Sequence, residues 1–359
     1  MIGYAGKFAG ELDSHLRVRY CPARVAQASA TRRGVFGGFD VRIDPWAVDY
    51  GSETPTEFQL DAEDTSTVDV AVEVDGTAWT PISPASVGTD QAVSFVDGVR
   101  RMEARLVVTH QGRVIHGALG SFGVGVVDCR NGRAVFGEER RGRLTVFGSG
   151  AVPPSSLELA PALVYAPHSV PEEDADAPLK GIHNEMRAVE RQLAREHAGP
   201  ERVVVADGPL APGETTAGHV VGFVKRLFKL YVPAEQLGVV RALPLAARTP
   251  LFLIAGNDRF SRYSWFVRLG PRLPIESDFT GLVRLEVSGT VGKEEAVRLA
   301  DLMTTLLPRF VPSRTRDPRA PQNLVPIGAL EQHLRRGLGD ARLIHRRLAT
   351  RLAQEFVNV

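Results

Sequence analysis

The stretch "MRAVERQLAREHAGPERVVVADGPL", residues 186–210, runs from helix to strand to turn in one line. Met186, Val189 and Leu193 continue a series begun by Leu179 and Ile182. One face of a helix over 179–198 is therefore apolar. Gly199-Pro200 stops that helix. "RVVVA" follows, an apolar run that reads as a buried strand. The run ends on Asp207-Gly208. Asp-Gly is ordinarily a turn. A carboxylate at the end of a buried strand is also costly unless it is paired or holds a cation.

Upstream, "VSFVDGVRR" (93–101) repeats the theme of an apolar run closed by Asp-Gly. The pattern predicts a short strand, "AVSFV", joined by a turn at Asp97-Gly98 to a second strand, "RRMEARLVVTH". "RVIHGALGSFGVGVVDC" and "GRLTVFG" extend the meander. Residues 152–178, rich in Pro and acid, read as a loop. Downstream, "GHVVGFVKRLFKLYV" begins as a strand, and "TPLFLIAG", "YSWFVRL" and "GLVRLEV" supply three more. In the second of these, Tyr263, Trp265 and Val267 are expected to face the core, with Ser264, Phe266 and Arg268 outward. "KEEAVRLADLMTTLLPRF" is an amphipathic helix with its acids in the first turn. Two more helices follow, on Ile327, Leu330, Leu334 and Leu338, and on Leu343, Ile344, Leu348, Leu352 and Phe356. Residues 1–90 form an extension of irregular backbone with a few short strands, and 91–359 form the main domain.

At 359 residues, 43% hydrophobic and 24% charged, the chain has the balance of a soluble globular protein. A net charge of +1 excludes a global basic field, so a nucleic-acid site has to be a local patch. Cys21 and Cys129 form neither a disulfide framework nor a zinc pattern, which suits a reducing cytoplasm. No secretory h-region and no membrane-length apolar run is present. "GSFGVG" (120–125) lacks the Lys-Ser/Thr of a nucleotide-binding loop.

Two carboxylates from separate strands and one from a helix can converge at a sheet edge, where hard oxygen ligands suit Mg²⁺ or Mn²⁺. Two such ions can clamp the attacking and leaving oxygens of a phosphodiester. Asp97 and Asp207 are the strand carboxylates, and Glu190 is the chosen helix carboxylate, at the edge of the apolar face. Glu185 and Glu196 are its rivals on the opposite edge, and Glu103, on the strand after Asp97, is another possible ligand.

The blocks "FVDGVRR", "MRAVERQLAREHAGPERVVVADGPL" and "VVGFVKR" resemble the NurA nuclease family over roughly residues 91–335. The resemblance implies an RNase H-like α/β fold, a mixed sheet flanked by helices. It implies manganese-dependent cleavage of DNA, with 5′-end resection and single-strand endonuclease activity. It further implies a homodimer and a HerA-type hexameric ATPase partner. Matched by motif, Asp97, Glu190 and Asp207 would be catalytic and hold two Mn²⁺ (or Mg²⁺) ions, with Lys225 contacting phosphate. Arg100, Arg262, Arg268 and Arg316 are candidate DNA contacts. One departure stands out in "RAPQNLVPIGALEQH" (319–333). Ala320 replaces the family tyrosine and Gly328 the family histidine. Glu331 and His333, slightly further on, are the nearest candidates to replace them, with a solvated helix residue the favoured reading of each. The loss raises a second reading, a weak or inactive scaffold that guides DNA for the motor.

Overall fold

The computed structural model describes residues 36–45, 66–85, 91–210, 219–255 and 260–357. Three long antiparallel strands dominate it: β3 (Ala92–His110), β4 (Arg113–Arg130) and β5 (Arg133–Phe147). Their hairpin turns are Gln111-Gly112 and Asn131-Gly132, with all four φ angles positive (49°, 78°, 51° and 73°). That backbone twist matches the right-handed twist of the flanking strands. Asp97-Gly98 is therefore not a turn. Asp97 pairs with Gly125 and Gly98 with Val124, in the middle of one continuous 19-residue strand. Gly98 has no left-handed φ to impose a reversal.

Helix α1 (Ala177–His197) then crosses to β8 (Arg202–Asp207), which lies parallel to the first half of β3. Strand β9 (Val220–Val224) is parallel to β8, and β12 (Leu282–Ser288), β11 (Ser261–Arg268) and β10 (Phe252–Ala255) continue antiparallel. The supposed loop 152–178 contains β6 (Leu157–Ala160) and β7 (Leu163–Ser169), which extend the sheet beyond β5. Parts of the 1–90 extension also join the sheet. Strand β1 (Asp40–Ile43) pairs with the second half of β3, and β2 (Thr67–Asp69) with β10. The basic segment 17–34, Cys21 included, lies outside the described residues.

The result is a mixed α/β sheet flanked by helices, consistent with the RNase H-like class. On one face α1 packs Ile182, Met186 and Leu193 against Val96, Val124, Val146 and Val204. On the other, α3 (Lys293–Leu306) and α4 (Val325–Gly337) pack Leu299, Met303, Leu330 and Leu334 against Phe95, Val203, Val205 and Leu285. Consecutive residues of β8 thus alternate between the two helical layers, which is why its sequence is an unbroken apolar run. The same double cover corrects the outward face assigned to β11. Ser264, Phe266 and Arg268 are all buried, Phe266 within a third cluster built on Trp79, Val240 and Phe252. Val240 comes from α2 (Ala234–Arg241), a helix the sequence pattern did not mark. Helix α5 (Ala341–Val357) covers the far half of the meander with Ile344, Leu348 and Leu352. No described helix is long and apolar enough to cross a membrane.

Candidate metal centre and nucleic-acid cleft

Strand alternation decides where each functional side chain goes. In β3, Val93, Phe95 and Val99 face the α3–α4 layer, and Asp97 shares their parity. In β8, Val203 and Val205 face that layer, so Asp207 does too. Val221 and Phe223 of β9 do the same, and Lys225 is the next of that parity. Parallel pairing of β3, β8 and β9 sets Asp97, within β3, beside the C-terminal ends of β8 and β9.

There Lys225 Nζ lies 2.8 Å from Asp207 Oδ2 and donates to Asn323 Oδ1 at 2.9 Å. Asn323 Nδ2 in turn donates to Asp317 Oδ2 at 2.7 Å. The Gly98 N–H donates to Asp97 Oδ1 at 2.7 Å. Asp97 Oδ2 is buried and has no hydrogen-bond partner. One carboxylate oxygen each from Asp97, Asp207 and Glu331 lie within 4.8 Å of one another. Glu331 is thus no solvated helix residue. It projects from α4 into the cluster, its side chain only 14% exposed, with Arg319 Nη2 3.2 Å from its Oε2. A residue three or four places after a buried helix position was the available signal: Glu331 follows Ile327 by four.

Glu190 approaches the same cleft from the opposite layer. Arg187 Nη1 donates to both its oxygens, at 2.8 and 3.0 Å. The guanidinium is fixed by the Asp207 carbonyl at 2.6 Å and the Pro209 carbonyl at 3.3 Å. Burial pushes the Glu190 carboxyl up to about 7, opposed by Arg187 and reinforced by Asp207. Burial, then Asp207 and Glu190, push Asp97 well above the ordinary carboxylate range. Burial pulls the Lys225 ammonium down, but Asp207 and Asp97 outweigh it and the net shift is upward. All three shifts are upward, led by burial for the two carboxyls and produced by the neighbouring aspartates for the ammonium.

The cleft over these groups is about 280 Å³ and is lined by Asp97, Arg100, His183, Arg187, Glu190, Asp207, Lys225 and Phe228. It shares Lys225, Arg226 and Phe228 with a groove of about 680 Å³ that runs on past Phe279, Arg319 and Gln322. His183 is pushed down to about 4, by burial first and then by Arg100 and Arg187, so it stays neutral.

Of the other sequence candidates, Arg100 lines the cleft and its Nε is buried without a partner. Arg316 is exposed in the turn before α4. Arg262 lies 3.2 Å from buried Glu286, whose Oε1 accepts the Leu210 N–H at 2.6 Å. Arg262 thus braces the loop after Asp207. Arg268 lines neither the cleft nor the groove. It is buried, and its donors go to the carbonyls of Leu243, Thr280, Arg241 and Asp278. Two of the other carboxylates are engaged elsewhere. Glu103 is buried but satisfied by Arg101 and Ser121, and exposed Glu196 pairs with Arg140. His333 stacks on Phe136 and pairs with Glu139, away from the cluster.

No protein-family model matches the chain, and no curated protein matches it. Among solved structures, the crystal structure of the NurA nuclease from Sulfolobus solfataricus is similar at 11% identity and a TM-score of 0.43. The similarity covers 70% of this chain and 82% of that one.

Proposed function

We propose that the chain is a divalent-metal-dependent nuclease that hydrolyses DNA phosphodiesters. One observation carries this reading: Asp97, whose Oδ2 is buried and partnerless, clusters through a carboxylate oxygen with Asp207 and Glu331. A buried acceptor left unmatched costs about 1–3 kcal/mol, more when it is charged. Concentrated carboxylate oxygens are the donor set that hard divalent ions take. Asp97 and Asp207 would hold Mn²⁺ or Mg²⁺, which when bound supplies Lewis acidity toward a phosphoryl oxygen and acidity to a water.

The chain's own groups do the rest. Lys225, oriented by Asp207 and Asn323, presents a fixed cation to the substrate's phosphate. Arg100 and Arg226 border the same cleft and suit the adjoining phosphates. Phe228, half exposed where cleft and groove meet, offers a face on which an unpaired base can stack. A second ion, 5′-end resection, a homodimer and a HerA-type hexameric ATPase partner belong to this proposal through the sequence resemblance.

Ala320 and Gly328 favour a second reading, the non-catalytic scaffold. Ala320 is a buried methyl, and a Cβ at position 328 would lie 3.1 Å from Asn323 Nδ2. The space for a side chain at 328 is thus taken by the residue that holds Lys225. Incubating labelled single-stranded and duplex DNA with Mn²⁺, Mg²⁺ or EDTA separates the two, with the protein alone and with the cognate ATPase plus ATP. The nuclease reading expects metal-dependent shortening in at least one arm. Intact DNA in every arm, with the complex still formed, supports the scaffold instead.

A further inference from the structure

Two glutamates compete for the third place beside Asp97 and Asp207, one from each helical layer. We propose that Glu331 of α4 is the third ligand of the cation and that Glu190 of α1 is not. The proposal rests on the reading that this cluster is the cation site, and it assigns that site to the α4 face of the sheet.

Three observations support it. The first is distance. A cation with bonds of about 2.1 Å holds its ligand oxygens roughly 3 to 4.2 Å apart. The oxygens of Asp97, Asp207 and Glu331 fall within 4.8 Å, so closing on an ion takes a shift of well under an ångström. The second is parity. Asp97 and Asp207 share the side of their strands that carries Phe95, Val203 and Val205, the side covered by Leu330 and Leu334 of α4. The partnerless Asp97 Oδ2 belongs to that same side chain. Glu190 reaches the cleft past the glycines instead. A Cβ on Gly98 would touch Met186 of α1, and one on Gly208 would touch Arg187.

The third observation is the partner each glutamate already has. Arg187 occupies both oxygens of Glu190 and is itself held by two backbone carbonyls. Moving it aside would strand two carbonyls and a buried guanidinium. Arg319 holds Glu331 with a side chain 55% exposed, shared with Asp317. An exposed arginine gives way to a divalent ion at small cost, because water replaces its contacts. Glu190 and Arg187 then act as a positioning pair that fixes the Asp207-Gly208-Pro209 backbone.

The test is Mn²⁺ binding to the full-length chain without nucleic acid, followed by the electron paramagnetic resonance of free Mn²⁺. The expected result is that Glu331→Gln weakens binding about tenfold or more, close to Asp97→Asn, while Glu190→Gln changes it by less than about threefold. Glu190→Gln weakening it as far as Asp97→Asn, with Glu331→Gln at the wild-type value, would overturn the proposal. Glu331→Cys guards against misfolding of the first variant. A thiolate in the ligand set favours soft ions, so E331C should gain a sulfur–cadmium charge-transfer band on Cd²⁺ addition. That band should be absent in wild type and in E190C, and lost again in E331C with Asp97→Asn. A band in E190C and none in E331C would also overturn it. Neither readout depends on DNA cleavage: a chain that binds Mn²⁺ through Glu331 and leaves DNA intact sinks the nuclease proposal alone.

Discussion

The two Asp-Gly dipeptides share a sequence and differ in every backbone respect. Asp97-Gly98 lies flat in the middle of β3, paired residue by residue with β4. Asp207-Gly208 ends β8, and Gly208 has φ +103°, a conformation that side chains strain to adopt. What the pair has in common is facing. Each aspartate points to the α4 layer, and each glycine leaves room for an α1 side chain, Met186 at one and Arg187 at the other. Dipeptide identity therefore did not specify a turn. It specified a carboxylate on one face and an absent side chain on the opposite one.

The largest effect expected from this comparison is on cleavage. Asp97→Asn and Asp207→Asn should each lower metal-dependent DNA cleavage by at least ~10³-fold, because the two act as one unit. Single-turnover assays on a labelled strand measure it. A large loss in only one of them would break the equivalence. Lys225→Met should cost less, about 10²-fold, mainly in kcat, since it removes one fixed cation from a site that keeps its carboxylates.

In stability the two aspartates should part company. Asp207 is ion-paired with Lys225, so Asp207→Asn strands a mostly buried ammonium and should cost about 2–4 kcal/mol by urea unfolding. The glycines should diverge too. Gly208→Ala forces a left-handed alanine against Arg187 Nη2 at 2.9 Å and should cost about 1–3 kcal/mol. Gly98→Ala meets only the flexible Met186, with Cγ at 3.0 Å, and Val124, and should cost about 1 kcal/mol. Equal losses would mean that backbone strain at Gly208 is absent.

The smallest effect is on pH dependence in the presence of a chelator. Glu190 and Asp97 both have folded values above their ordinary ones. The folded chain then keeps protons that the unfolded chain releases, so their stabilising contribution is present at low pH and is lost as pH rises. For Glu190 the loss should run from about 4.5 to about 7. Glu190→Gln should flatten that part of the melting-temperature profile. Asp97→Asn should raise the melting temperature at pH 8 by a few degrees, about 2–4 °C per kcal/mol, the reverse of Asp207→Asn.

Much of this was legible in the sequence. Helix α1 followed from its apolar spacing and β8 from its unbroken β-branched run. Position 207 could be assigned a face from Val203 and Val205 by counting in twos. The turn placement was also legible, because Asn131-Gly132 is a stronger hairpin signal than an Asp-Gly inside an apolar run. Which helical layer covers the two aspartates was not. Strand parity gives two faces without saying which helix covers which, and only packing places α4, which begins 118 residues after the end of β8, over the aspartates. The outward face expected of Arg268 failed for a similar reason. An alternating strand looks half exposed until a second layer covers it.

The most direct measurement is the anomalous diffraction of crystals soaked in Mn²⁺. The account predicts a manganese peak bonded to carboxylate oxygens of both Asp97 and Asp207, on the α4 side of the sheet. No peak there in a fully soaked crystal, or a peak held by Glu190 without Asp97, would contradict it.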